Sequence, residues 1–341
     1  MLSAMSRRSP FPLLILLCCT ALRSLAQTGH LFRIYEDNDF INVAGKGTDK
    51  GYTNGTRLDY YYNRSTPSRL FLDKWFPAAG PKAVNTFSYS VMQVMLVPND
   101  LSRTLPDKDD WPYSGSLVVS HGLYSANPAE KWSIQTELTT GVIGPSSLAR
   151  QTQTLFHSLI HSTKPMGWAV QMPTDVLLNL SMQAERLFWQ PGKALELIGG
   201  GQVQVGSMLD GVSLHALIRT GYMKPYFDGY TRQFTSAKVQ GQAQGRDRRL
   251  QLYFFLRPAV QWWNFNALLE GGLFRGKSSY YAGIDSKGES PSLRRITATV
   301  DVGLVLVIGN VSLSITQKEM SPLIHSVSDQ TIGNISLTVG W

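Results

Sequence analysis

Glu36-Asp37-Asn38-Asp39-Phe40 is followed shortly by Thr48-Asp49-Lys50-Gly51-Tyr52-Thr53-Asn54-Gly55. Carboxylate, amide and hydroxyl oxygens thus crowd the end of one expected strand and the start of the next. A hairpin would bring them together, and a set of oxygen donors suits a hard cation such as Ca²⁺. Asn38, Asp39 and Thr53 are the first candidates. Glu36, Asp37 and Asp49 can serve simply to shape the loop. A second kind of chemistry lies downstream at His157, because histidine exchanges protons near neutral pH and can act as a general base. His161, one turn later, suggests a zinc pair, but no third ligand or glutamate stands at motif spacing. There is no Gly-x-Ser-x-Gly elbow to supply a serine nucleophile. Hydrolysis by an activated water beside a cation needs none.

These residues need elements to hold them. The sequence alternates apolar and polar residues with period two, with turns between, again and again. Ile335, Leu337, Val339 and Trp341 share one face; Ser336, Thr338 and Gly340 share the other. The same pattern appears in Val311–Thr316, Ile296–Leu304, Val212–Arg219, Leu178–Glu185 and Trp132–Leu138. One apolar and one polar face is what a transmembrane barrel requires, with lipid outside and a polar interior. A soluble sandwich also alternates. Segments near ten residues long and a final strand ending on an aromatic favour the barrel. The expectation is an all-β, antiparallel transmembrane barrel of about twelve strands: 31–38, 52–63, 85–97, 113–125, 131–143, 174–189, 194–208, 211–222, 249–264, 293–309, 310–320 and 331–341. Residues 223–248 and 265–292 are ambiguous.

One loop breaks the pattern. Ser146 to Thr163 lacks Gly and Pro, and Ser146 or Ser147 can cap a helix. Leu148, Leu155, Phe156, Leu159 and Ile160 recur at helical spacing, with Arg150, Gln153, His157 and His161 on the other side. Strand parity then decides location. With the N-terminus in the periplasm, Asn38, Asp39, Thr53 and the His157 helix all fall at the extracellular rim. Asn38 also continues the row of Phe32 and Ile34, which should face lipid, where an amide has no structural use.

Arg7 and Arg8, the apolar run Phe11–Leu22 and the small residues of Ser24-Leu25-Ala26 read as a secretion signal at 1–26 cleaved after Ala26, leaving the barrel at 27–341. The only cysteines, Cys18 and Cys19, lie inside it. Removing Arg7, Arg8 and Arg23 with it leaves 29 basic against 24 acidic residues. A net charge of +5 with no basic run interleaved with aromatics is no nucleic-acid signature, and it suits an anionic lipid surface. No later stretch is long and apolar enough for a membrane-spanning helix.

Four segments resemble the outer-membrane lipid A 3′-O-deacylases (LpxR-like): Glu36–Phe40 with Thr48–Gly55; Gln93–Pro98; Asp110–Gly115; and Gly141–Gln171, in which Gln153 and His157 follow Ile-Gly-Pro and precede Gly167-Trp168. The resemblance implies a Ca²⁺-dependent ester hydrolase of the Gram-negative outer membrane. It would act on the 3′-acyloxyacyl group of lipopolysaccharide lipid A. His157 would activate water, Asn38, Asp39 and Thr53 would stand at the cation and oxyanion, and Gln153 would touch substrate. The family's lysine after strand three has no clean counterpart; Arg103 and Lys108 lie in that loop, and one of them would contact phosphate on the lipid head group. Thr163 stands near the position of an acidic residue that the family carries after the histidine. The terminal strand resembles the signal that outer-membrane barrels present to their assembly machinery. The competing expectations are an outer-membrane phospholipase A, which pairs histidine with serine, and a non-enzymatic small porin.

Overall fold

The computed structural model describes residues 29–39, 41–42, 51–64, 70–235 and 249–341. The expected signal at 1–26, with Cys18 and Cys19, lies outside these residues, as do Phe40 and Thr48-Asp49-Lys50. Twelve antiparallel strands close into a barrel, each paired with its sequence neighbours and β1 with β12. They are β1 (His30–Asn38), β2 (Gly51–Asn63), β3 (Val84–Val97), β4 (Ser114–Asn127), β5 (Trp132–Ile143), β6 (Asp175–Trp189), β7 (Leu195–Gly206), β8 (Leu209–Tyr222), β9 (Leu250–Asn266), β10 (Ile296–Ile308), β11 (Val311–Met320) and β12 (Gln330–Gly340). Every expected strand is present, with ends moved by a few residues. No helix among the described residues is long and apolar enough to cross a membrane; the strands cross instead.

The alternation sorts as a lipid-facing barrel demands. On β9, Leu250, Leu252, Phe254, Leu256, Val260 and Trp262 are exposed on the outer wall. Charged side chains turn inward and neutralise one another. Arg33 Nη2 and Arg57 Nε lie 2.8 and 2.7 Å from the two oxygens of the fully buried Asp59. Arg57 also meets Glu137 at 2.7 Å. Further round the wall, Glu185 accepts from Tyr226 Oη at 2.8 Å and meets His215 Nε2 at 2.9 Å. Pairing of this kind is the condition for holding charge away from water.

Both mouths are filled. From the periplasmic end, a 3₁₀ turn (Tyr226–Asp228) and helix α3 (Tyr230–Phe234) enter the lumen. There Tyr230 stacks on Tyr61 with ring centroids 4.3 Å apart, and its hydroxyl accepts from Arg33. At the extracellular mouth, α4 (Ala267–Glu270) and α5 (Ser279–Ser286) supply Leu268, Leu269, Tyr281 and Ile284 to an apolar cluster with Val94, Leu96 and Leu177 of the wall. Sequence leaves both segments ambiguous because their described parts, 223–235 and 265–292, form irregular plugs whose packing partner is the lumen, not their own neighbours. The expectation of one loop helix is therefore too few. Besides the expected helix there are α4 and α5 outside, and α1 (Phe71–Trp75) and α3 on the periplasmic side.

The expected helix is α2, Ala149–Ile160, shorter than 146–163. Pro145–Ser147 forms a 3₁₀ turn, and the N-cap is Leu148 in the left-handed region (φ 60°), with no side-chain cap. Neither serine occupies the N-cap position: Ser147 Oγ donates to the Gly144 carbonyl and accepts a long bond, 3.4 Å, from the N–H of Ala149 at the start of α2.

Candidate functional site

The outer wall of the barrel, not its lumen, holds the candidate residues. Along β1 the outward row runs Phe32, Ile34, Glu36, Asn38. Along β2 it runs Tyr60, Leu58, Thr56, Asn54, and along β3 Tyr89, Val91, Gln93, Met95. Register aligns these rows: Glu36 faces Thr56, which faces Gln93, and Asn38 faces Asn54, which faces Met95. Toward the periplasm the rows are apolar and exposed. Toward the extracellular rim they become a polar patch. The Glu36 carboxylate accepts from Asn54 and, at 2.6 Å, from Thr56 Oγ1.

Loops on either side raise this patch into a groove. On one flank the chain after β1 folds over β11 and β12. Asn42 Nδ2 donates to the Asp39 carbonyl at 2.8 Å, and Gln317 Nε2 donates to Asn42 Oδ1 at 2.9 Å. Gly333 lies beneath; a Cβ there would sit 1.2 Å from the Ile41 carbonyl oxygen. On the other flank α2 packs against the outer faces of β3 and β4. Met95, Val97, Leu101, Tyr113, Ala149 and Trp168 form one buried cluster. Gln93 Nε2 donates to the Ser147 carbonyl at 2.6 Å. Gly115 lets the helix approach: a Cβ there would stand 2.3 Å from that of Ala149.

The first candidates converge at the top of the groove. Asp39 is 2 % exposed and Thr53 5 %. Thr53 Oγ1 donates to Asp39 Oδ1 at 3.3 Å. Thr53 owes its aim to a bulge, since the β2–β3 register skips from Tyr52 to Asn54. Tyr52 turns inward, its hydroxyl on Asp37, while Asn54 turns outward; bulges commonly re-aim side chains in this way. Asn38 ends β1 opposite Asn54 and Gly333. Asp37, by contrast, faces the lumen between the hydroxyls of Tyr35 and Tyr52.

Helix α2 reverses the arrangement of a helix in a soluble protein. Its polar residues Gln153 and His157 are buried, at 4 % and 7 % exposure, while Leu155, Phe156, Leu159 and Ile160 are 58–65 % exposed. Such a stripe belongs in hydrocarbon, and it points the same way as the lipid-facing wall. His157 Nδ1 donates to the Thr163 carbonyl at 2.5 Å. A carbonyl oxygen can only accept, so in the neutral ring the proton sits on Nδ1 and Nε2 carries the basic lone pair. Gln153 Oε1 accepts from Trp168 Nε1 at 2.7 Å, which fixes the amide and leaves its buried Nε2 without a partner. His161 caps the helix in the left-handed region and is exposed, so it does not share the direction of His157.

The basic candidates lie elsewhere. Arg103 pairs with Asp107, which holds its guanidinium above the ordinary value, and Lys108 lies 3.6 Å from Glu289. Both are exposed on the β3–β4 loop. Nearby Asp110 pins that loop by accepting the backbone N–H groups of Asn99 and Trp111 at 2.8 and 2.7 Å. Burial pushes its carboxyl above the usual range. Gln93, Asn54 and Thr56 had no role assigned from sequence. Their signal was available: like Asn38, each interrupts an outward apolar row with a polar side chain.

A family model described as outer membrane protein LpxR matches residues 13–341. No curated protein sequence matches. The solved structure of LpxR from Salmonella typhimurium superposes with a TM-score of 0.70 at 16 % identity, over 91 % of this chain and all of that one; at that identity the likeness concerns the fold. A KdgM porin matches with a TM-score of 0.39 and 6 % identity, over 91 % of this chain and 99 % of that one. The β domain of the Bordetella autotransporter BrkA matches at 0.44 and 9 %, over 92 % and 99 %.

Proposed function

We propose, from the premise that this chain belongs to the LpxR family of outer-membrane proteins, that it is a lipid A 3′-O-deacylase of the Gram-negative outer membrane. It hydrolyses the 3′-acyloxyacyl ester in the outer leaflet. One observation carries this reading: the polar groove opens on the lipid-facing wall, where only a membrane lipid presents itself. A porin would keep its polar surface in an open lumen, and this lumen is packed with ion pairs and plugged from both ends.

His157 is the general base. Its Nδ1–H is held by the Thr163 carbonyl, so Nε2 takes a proton from water as that water attacks the ester carbonyl. The main-chain carbonyl of Thr163 orients the ring. Gln153 Nε2, fixed by Trp168 and lacking a partner, is a donor for a substrate oxygen. A buried carboxylate beside a hydroxyl and an amide is an all-oxygen donor set, which fits Ca²⁺ with water or substrate completing the shell. Asp39, Thr53 and Asn38 would hold that ion, which when bound offsets negative charge developing on the ester oxygen. A single carboxylate argues for weak binding.

The test is mass spectrometry of lipid A and phospholipids from cells expressing the wild type or His157→Ala, with and without Ca²⁺. The expected result is loss of the 3′-acyloxyacyl group in the wild type alone. Intact deacylation by His157→Ala, or products only from phospholipid, overturns it.

A further inference from the structure

The lipid-facing belt is uneven around the barrel. At the periplasmic end of β1 and β2, His30, Tyr60, Tyr62 and Trp341 stack against one another, with centroid distances of 5.7 to 6.3 Å. Aromatic girdles mark the membrane interface. Above this girdle β1 offers lipid only Phe32 and Ile34 before Glu36. On β2, Leu58 is followed by Thr56, and on β3, Tyr89 and Val91 are followed by Gln93. The apolar stretch from His30 to Glu36 spans ~20 Å of strand, or ~15 Å of height at a tilt of ~40°. Three and four strands round the barrel from β1, the outward row of β10 is apolar from Ile296 to Ile308 and that of β9 from Leu250 to Trp262. These stretches span ~41 Å of strand and ~31 Å of height, enough for a whole hydrocarbon core. One wall therefore matches a bilayer of ordinary thickness, while the wall bearing the groove matches about half of one.

Polar groups do not rest in hydrocarbon without partners, and a bilayer thins beside a short apolar surface. The exposed face of α2 prevents simple elevation of this side out of the membrane, because Leu155, Phe156, Leu159 and Ile160 on the groove's flank require contact with hydrocarbon. We infer that the outer leaflet is thinned locally against β1–β3. A lipid arriving there keeps its chains on Phe32, Ile34, Leu58, Tyr89 and Val91 while its ester region sinks sideways into the groove between Asn42 and α2. The lipid never has to leave the membrane. The identity of that lipid rests on the deacylase reading; the thinning does not.

Beyond Cys18 and Cys19 the sequence contains no cysteine, so single-cysteine variants of the mature barrel can carry a nitroxide at one chosen site. Ile34→Cys and Phe254→Cys lie at equal distances along their strands from His30 and Leu250. Leu58→Cys, opposite Ile34 in register, duplicates the first in case that variant does not fold. In phosphatidylcholine vesicles, collision with oxygen and with a water-soluble nickel chelate reports depth. The expected result is a several-fold higher nickel-to-oxygen ratio at Ile34 and Leu58 than at Phe254. Equal ratios, or a deeper position for Ile34, overturn the inference. Repeating the measurement in His157→Ala separates the two proposals. A thinned profile with deacylation intact in that variant sinks the function alone, whereas equal depths with deacylation abolished sink the thinning alone.

Discussion

Gly115 offers a way to move His157, the proposed general base, without touching it. The glycine is on the outer face of β4, and a Cβ there would lie 2.3 Å from Ala149 Cβ and 2.8 Å from Ser147 Oγ. Ordinary carbon contact needs about 3.5–4 Å, so Gly115→Ala must lift the first turn of α2 by ~1.3 Å. His157 sits two turns further along the same rigid helix and moves with it. A misplacement of about 1 Å can cost on the order of 10²-fold in rate. Asn38 and Thr53 belong to β1 and β2, Asp39 directly follows β1, and none of them is displaced. The assay is the initial rate of lipid A deacylation as a function of Ca²⁺, with heat-shifted gel mobility as the check that the barrel has closed. Gly115→Ala should lower the rate at saturation by roughly 10–100-fold with the Ca²⁺ midpoint unchanged. A closed barrel deacylating within twofold of wild type would refute the placement of His157 against this wall.

Four further outcomes follow from the same geometry. Gly333→Ala must push aside the Ile41 carbonyl and with it the Asn42 bonds; it should raise the Ca²⁺ requirement severalfold while sparing barrel closure, read by the same titration. Chelation of divalent ions should stop hydrolysis reversibly, and Asp39→Ala should not be rescued by added Ca²⁺. Phe156→Asp places a charge on the exposed face of α2, at a cost below the ~2–4 kcal/mol of a basic residue at the bilayer centre and smaller still toward the interface; activity should fall in vesicles and survive better in detergent micelles. Planar-bilayer recordings should show no steady conductance in the wild type, because Arg33, Arg57, Asp59, Glu137 and the α3 plug fill the lumen.

The strands were legible because period two is a strong signal and lipid enforces it on one face. Asn38 was legible as an anomaly, a polar residue continuing an apolar row. Thr53 was visible as a residue type, but its aim depends on a bulge that no local pattern announces. Helix α2 was recognisable from its spacing. Which side it buries was not, since the answer depends on whether its outer surroundings are water or lipid. The two lumen plugs were missed because irregular backbone packed inside a barrel obeys neither period. Arg103 and Lys108 were legible as basic residues of the β3–β4 loop; their pairing with Asp107 and Glu289 was not, because it depends on how the loops fold.

Closure of the cylinder carries a temporal consequence. Strand β1 holds Asn38, but the flap that backs Asp39 rests on Gly333 and Gln317, contributed by the last two strands to leave the ribosome. The β1–β12 seam joins the beginning of the chain to its end. Until that seam is sealed, Asp39 lacks its supporting flap and α2 has no hydrocarbon to receive its outer stripe. On the deacylase reading, the flank of the groove is complete only once the barrel has closed, so the last step of assembly also finishes the site.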